Sequence, residues 1–197
     1  MIYFNLPGLY ENFHINKFFL SEMYKNPQFF NDNVKIASVF GNFPFCIWDG
    51  GRNFAHYEQV SSETIKEVCS FYRNYGIYPR LVFTNPRIQK EDLYDRFGNL
   101  TLKIVNDYQG EVVVNSDLME NYIRENYPNY KIISSTTKRL SDPKKALNEI
   151  CDKNYYQVCL DYDLNKNIEF LNSIPKEKRK NVEFLSNAIC PSHCAFR

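Results

Sequence analysis

Several absences narrow the reading of this 197-residue sequence. No run approaches ~18 uninterrupted apolar residues, so no membrane-spanning helix is expected. Charge of one sign is not in excess. The 24 Lys and Arg stand against 23 Asp and Glu, a net +1, which makes nucleic acid an unlikely main partner. The amino-terminal stretch MIYFNLPGLYENF lacks a basic start followed by an apolar run, so no secretory leader is read and a cytoplasmic location is expected. Neither GxGxxG nor GxxxxGK followed by Ser or Thr occurs, which removes the glycine-rich phosphate fingerprints. Three histidines, His14, His56 and His193, offer no Ser-His-Asp order, and no peptidase nucleophile is visible. Neither a charged linker nor a Gly/Ser tract marks a boundary, and residues 1–197 read as a single domain.

What is present is a core-forming composition, 44% hydrophobic and 16% aromatic, arranged in an alternating rhythm. Short apolar runs fall at Ile2–Leu6, Lys35–Phe40, Arg80–Thr84, Glu111–Val114, Lys131–Ser134, Gln157–Leu160 and Val182–Leu185. Several are apolar on both faces, as parallel strands covered on both sides should be. Helical spacing lies between them: Ile65, Val68, Cys69 and Tyr72 within Ser61–Tyr75; Leu93, Phe97, Leu100 and Ile104 within Lys90–Asp107, with Gly98 a weak spot; then Met119 to Ile123, a helix opening at Asp142–Pro143, and Asn165–Ile174. Strands alternating with helices mean βαβ units and a parallel sheet. Just beyond nearly every strand stands a small polar residue: Asn42, Asn85, Asn115 with Ser116, Ser135 with Thr136, Asp161 with Asp163, and Ser186 with Asn187. Parallel α/β folds bind ligands at strand carboxyl ends, although such residues also start loops and cap helices. The fold expected is a (β/α) TIM-like barrel of about seven strands. A full barrel takes about 250 residues, or 200 at the compact end. The chain is therefore expected to be a fragment, or an open barrel closed by a homo- or hetero-oligomeric partner.

Two local motifs suggest chemistry. In the long loop 41–57, Trp48-Asp-Gly-Gly-Arg52 pairs glycines that let backbone approach a ligand closely, and Arg52 could hold a carboxylate or phosphate bidentately. A tight surface turn is the alternative. His56, four residues on, suits acid–base work near neutral pH. Asn85, Asn115 and Asn187 suit hydrogen-bond recognition of a small polar ligand, and Asp161 could supply a carboxylate, with Asp163 a helix cap. The second motif is Cys190-Pro-Ser-His-Cys194, which could ligate a metal or an iron–sulfur cluster or simply carry free thiols. Cys46 and Cys159 could complete the set if the fold gathers them. Zinc on Cys190, His193 and Cys194 would strain adjacent ligands. The radical S-adenosylmethionine spacing is absent, because its third position is Arg197.

The order of these pieces resembles the collagenase-like peptidase family U32, TIM-barrel proteins that include oxygen-independent hydroxylases of quinone precursors and of RNA. The resemblance is carried by Asn5-Leu-Pro-Gly8, Asp49-Gly-Gly-Arg52, Leu81-Val-Phe-Thr-Asn85, Asn115-Ser-Asp117, Ile133-Ser-Ser-Thr136, Val158-Cys-Leu-Asp161 and the stretch from Val182 to Cys190. It implies a barrel, a ligand at the strand ends and an iron–sulfur cluster. It also departs from the family: Ser186-Asn187 stands where the family has His-Gly, and its later cysteines have no counterpart. Three functions remain open: a barrel enzyme or degenerate enzyme of non-hydrolytic redox chemistry, a non-catalytic binding or assembly module, and a tRNA- or rRNA-modifying accessory.

Overall fold

The computed structural model describes residues 1–51, 54, 58–151 and 154–186. Seven strands form one sheet: β1 (Ile2–Pro7), β2 (Val34–Gly41), β3 (Tyr78–Phe83), β4 (Glu111–Val114), β5 (Lys131–Ser134), β6 (Gln157–Cys159) and β7 (Val182–Glu183). Neighbours in sequence are neighbours in the sheet, and every pairing is parallel. Helices α1 (Phe13–Lys25), α2 (Ser62–Asn74), α3 (Arg96–Asp107), α4 (Asp117–Asn126), α5 (Pro143–Cys151) and α6 (Ile168–Ser173) alternate with the strands. The architecture is an incomplete α/β TIM-like barrel, a curled half-barrel of seven parallel strands.

One side chain makes the curl visible. Arg80 lies on β3, yet its guanidinium reaches Glu183 on β7 at 2.6 Å, Gln157 on β6 at 2.9 Å and Glu111 on β4 at 2.8 Å. In a flat sheet β3 and β7 would stand about 19 Å apart, four strand spacings. The contact exists because the sheet bends around Arg80, which is 3% exposed. Register fixes the inward set: Arg80 pairs Glu111, Glu111 pairs Lys131, and Cys159 pairs Glu183. Nearer β1, Ser38 donates to Asn5 at 2.7 Å. The lumen thus holds a polar network among apolar neighbours, since Phe40, Val82, Val113 and Ile133 share its face.

Stepping each strand by one residue turns to the other face, where the apolar core lies. Leu81, Phe83, Val112, Val114, Ile132 and Val158 are buried there with Ile65, Val68, Cys69 and Tyr72 of α2 and Phe97, Ile104 and Val105 of α3. Ser61 caps α2 by accepting from Thr64 N at 3.1 Å, and Asp95 caps α3 by accepting from Gly98 N at 2.8 Å. The expected helix over Lys90–Asp107 is therefore divided: a 3-10 turn at Lys90–Tyr94 precedes α3, because Asp95 stops one element and starts the next.

Helix α1 has no clear apolar stripe in the sequence. Ile15 and Phe18 are exposed while Asn16 is buried, so the pattern is inverted at the positions that matter. Asn16 is inside because its amide donates to the carbonyls of Pro7 at 3.0 Å and Gly8 at 3.2 Å, tying the helix to the end of β1.

The Arg80 network yields the first prediction. Arg80→Leu strands two carboxylates and lowers unfolding free energy by about 3–5 kcal/mol, whereas replacing Arg80, Glu111 and Glu183 together by apolar residues recovers most of the loss. Chemical denaturation of both variants measures this. A single variant as stable as the parent would show that the network does not hold the curl.

Candidate functional site at the strand carboxyl ends

After β2 the chain crosses the top of the sheet in a fixed path. Asn42, 2% exposed, donates to Val82 O at 2.5 Å and accepts from Val82 N at 2.9 Å, extending the β2–β3 pairing by one side chain. Phe43 packs on Tyr10 with ring centroids 5.5 Å apart. Trp48 then plugs into the core with no exposed surface. Its indole donates to Asp92 O at 2.7 Å, and its ring meets Phe83 edge-on at 5.1 Å. The weak spot Gly98 in α3 has a physical reason: a Cβ there would lie 2.7 Å from the Trp48 ring.

Asn85 staples the loop from below. Its backbone N–H donates to Trp48 O at 3.1 Å, and its amide donates to Ile47 O at 2.7 Å. The loop then lays Gly50 on Thr84 so closely that a Cβ would meet the Thr84 hydroxyl at 2.2 Å. Gly51 follows at φ +85° with open space where a side chain would be, so it is both the turn residue and the point at which backbone is bare. From the next strand Asn115 reaches the Thr84 carbonyl at 3.5 Å. Gly50 and Asn115 thus meet at Thr84, while Asn85, the next residue, also accepts from Arg87 N at 2.9 Å. Phe45 on the same loop sits at φ +73° and is half exposed.

Elsewhere along the ring the small polar residues serve the fold. Ser116 caps α4, accepting from Met119 N at 3.2 Å, and Ser135 accepts from Thr137 N at 3.1 Å. Thr136 bridges to Leu160 O at 3.0 Å. Asp161, 2% exposed, accepts from Asp163 N at 3.0 Å and so caps a 3-10 turn at Tyr162–Leu164. The cap expected of Asp163 falls to Asp161, while Asn167 caps α6 by accepting from Phe170 N at 3.0 Å. Arg52, His56, Asn187, Cys190 and Cys194 lie outside the described residues.

Of Cys46 and Cys159, the cysteines expected to complete a metal set, Cys159 is half-buried on β6 and Cys46 is a core residue. Cys46 and Cys69 are buried in the apolar core, and burial pushes both thiols from 9.0 up to about 12. A metal ligand must be a thiolate, so a neutral core thiol does not fit that role. Among the described residues no group of three His, Cys, Asp or Glu side chains is placed to hold a metal ion.

A second polar cluster lies on the helix side of β5. Ser134 and Lys138 both donate to Glu149, at 2.6 and 2.8 Å, Lys138 also donates to the Tyr155 hydroxyl at 2.6 Å, and Tyr155 donates to Glu120. Burial and then the Glu120 hydrogen bond push the Tyr155 phenol well above its ordinary value. Its members satisfy one another between α4, α5 and the sheet. It braces the wall.

With this geometry in view, comparison with known proteins gives a fold and little else. No protein-family model matches the chain, and no curated protein matches it. Among solved structures, "The Structure of the U32 Peptidase Mk0906" is similar with a TM-score of 0.51 and 17% identity, over 76% of this chain and 60% of that one. The likeness establishes a distant U32-like barrel, and the chain spans 60% of that structure's length. No helix among the described residues is long and apolar enough to cross a membrane.

Two measurements check this geometry. Gly50→Ala is expected to cost about 1–3 kcal/mol in urea denaturation, because the methyl group must displace Thr84 or the loop; a parental midpoint would show that the loop is not seated there. The core thiols give a signed pH effect. They are held neutral to higher pH in the folded chain than in the unfolded one. Their contribution is therefore present below pH 9 and is lost as pH rises from 9.0 through about 12. At pH 8 mass spectrometry should find Cys46 and Cys69 unalkylated by iodoacetamide until denaturant is added.

Proposed function

We propose that the chain is a ligand-binding barrel, an enzyme or a binding module, that takes a small polar molecule at the carboxyl ends of β3 and β4. The observation that supports this reading is the close seat of Gly50 on Thr84, reached also by Asn115, next to Gly51 with open space at its side-chain position. Bare backbone N–H groups and nearby amides recognise oxygen-rich groups by direct hydrogen bonding. In this reading Arg52, the residue after the glycine pair, holds a carboxylate or phosphate of the ligand, and His56 is the acid–base group if there is turnover. Asp161 is assigned to orienting the end of β6, since its carboxylate already serves the chain turn there. Asn187, from beyond β7, is assigned to the same ligand.

The redox version of this function adds an iron–sulfur cluster on Cys190 and Cys194, which would supply one-electron chemistry when bound. Of the two cysteines expected to complete its ligands, Cys46 is a buried thiol held neutral in the core, and no step is derived through the cluster. The polar amides and glycines recognise a ligand with or without it.

Thermal unfolding against a panel of small phosphorylated and carboxylated compounds tests the proposal. At a concentration a hundredfold above Kd a bound compound stabilises by about 2.7 kcal/mol, and this shift should vanish in Arg52→Ala while the unliganded midpoint stays put. A panel without any shift, or an Arg52→Ala variant stabilised as strongly as the parent, would sink the site. Iron and sulfide analysis after anaerobic purification tests the cluster separately.

A further inference from the structure

Helix α1 turns two apolar side chains to solvent. Ile15 is 68% and Phe18 69% exposed, one turn apart on one face. Both flanks of the helix are already packed. Phe13 meets Phe71 of α2 edge-on at 5.3 Å, Tyr24 meets Tyr75 at 4.6 Å, and on the other side Phe19 meets Phe30 at 5.9 Å. The buried residues of the helix are Phe13, Asn16 and Leu20. At about 100° per residue, Phe18 points roughly 170° away from their mean direction. The stripe therefore faces straight out from the barrel wall, away from the sheet and from both neighbours.

The charges along this stripe have an order. Glu11, in the turn that leads into α1, stands as far before Phe18 as Lys25 stands after it. His14 and Glu22 are likewise equidistant from Phe18, as are Ile15 and Ser21. Steps of three, four and seven return to the same helix face. A twofold axis at Phe18 lays the helix antiparallel on that of a second copy and brings each position to its counterpart. Glu11 then meets Lys25 of the second copy and His14 meets its Glu22, each contact being made twice. Phe18 lies on Phe18 at the axis, and Ile15 comes beside the small Ser21. A parallel pair would set Glu11 against Glu11 and Lys25 against Lys25. Sliding the antiparallel pair until Ile15 faces Phe18 would set Glu11 against Glu22. Opposite charge thus selects both direction and register. The groups are placed to act: Glu11, His14 and Lys25 are exposed, and neither Glu11 nor Lys25 forms an ion pair among the described residues. Glu22 accepts from Asn26 at one oxygen, Oε2, at 2.9 Å, and its second oxygen suits an imidazole N–H.

We propose that the outer face of α1 docks a second copy of this chain, the two helices packing antiparallel about a twofold axis at Phe18. Burial of the two apolar side chains supplies attraction, and the exposed charge pairs supply register. The surface is independent of the ligand at the strand carboxyl ends, since it lies on the outer side of a different element.

Sedimentation velocity over a concentration series of the full 197-residue chain tests it. A reversible dimer is expected, with a Kd below about 1 mM. Glu11→Lys and Lys25→Glu should each weaken self-association at least about tenfold, because each turns both copies of an attractive pair into repulsion. Mixed in equal amounts, these two variants should form a heterodimer about as tight as the parental dimer, since one carries Lys at both ends of the stripe and the other Glu. Phe18→Glu should leave a monomer with the parental far-UV circular dichroism spectrum, the position being exposed. A parent that stays monomeric overturns the proposal, as does a dimer that Phe18→Glu leaves intact. So do charge variants that associate with themselves as readily as with each other.

Discussion

A single guanidinium ties the halves of this barrel together. Arg80 meets carboxylates or an amide from three other strands, one of them four positions away in the sheet. Hydrophobic burial drives the helices onto the outer face, but burial alone has no preferred curvature. The buried ionic centre does, because each carboxylate must reach the same planar fork. Its cost in desolvation is offset only when all partners arrive, so an intermediate curvature is disfavoured. The polar network in the lumen and the spacing of the strand ends depend on that condition.

Most of the architecture was legible in the sequence because it rests on local patterns. All seven apolar runs became strands, and the capping serines and aspartates stand where helices or turns begin. Helix α1 was not legible: its buried polar residue answers to two carbonyls at the end of β1, a tertiary demand that no periodicity carries. The lumen network was half legible. Arg80, Glu111, Gln157 and Glu183 each open, or nearly open, an otherwise apolar run, and a recurrent charged residue at the same depth of a strand signals a shared interior partner. Reading those runs as uniformly apolar hid the signal.

The candidate site divides in the same way. Asn85 and Asn115 both stand just past strand ends, and Gly50 packs on Thr84, which leaves no room for a side chain there. Thr84 itself carries no motif and is found only by geometry. The rule also gathered residues whose work is structural: Ser116, Ser135 and Asp161 satisfy backbone groups. Both uses draw on one property, a short polar side chain at a point where the backbone leaves regular structure. The residue type therefore cannot separate them, and Asn85 itself satisfies backbone groups of Ile47 and Arg87.

Barrel loops are often regarded as exchangeable parts set on an indifferent scaffold. Here the loop after β2 is mortised into the frame. Trp48 occupies the space left by a missing side chain in α3, fifty residues further along, where a Cβ on Gly98 would also meet the Asp95 cap at 2.9 Å. Transplanting the loop into another barrel would deliver a tryptophan with nowhere to go, and removing it here would leave a slot in a helix. The two positions can change only as a pair, so whatever chemistry this loop carries is constrained by a residue of a helix fifty positions away.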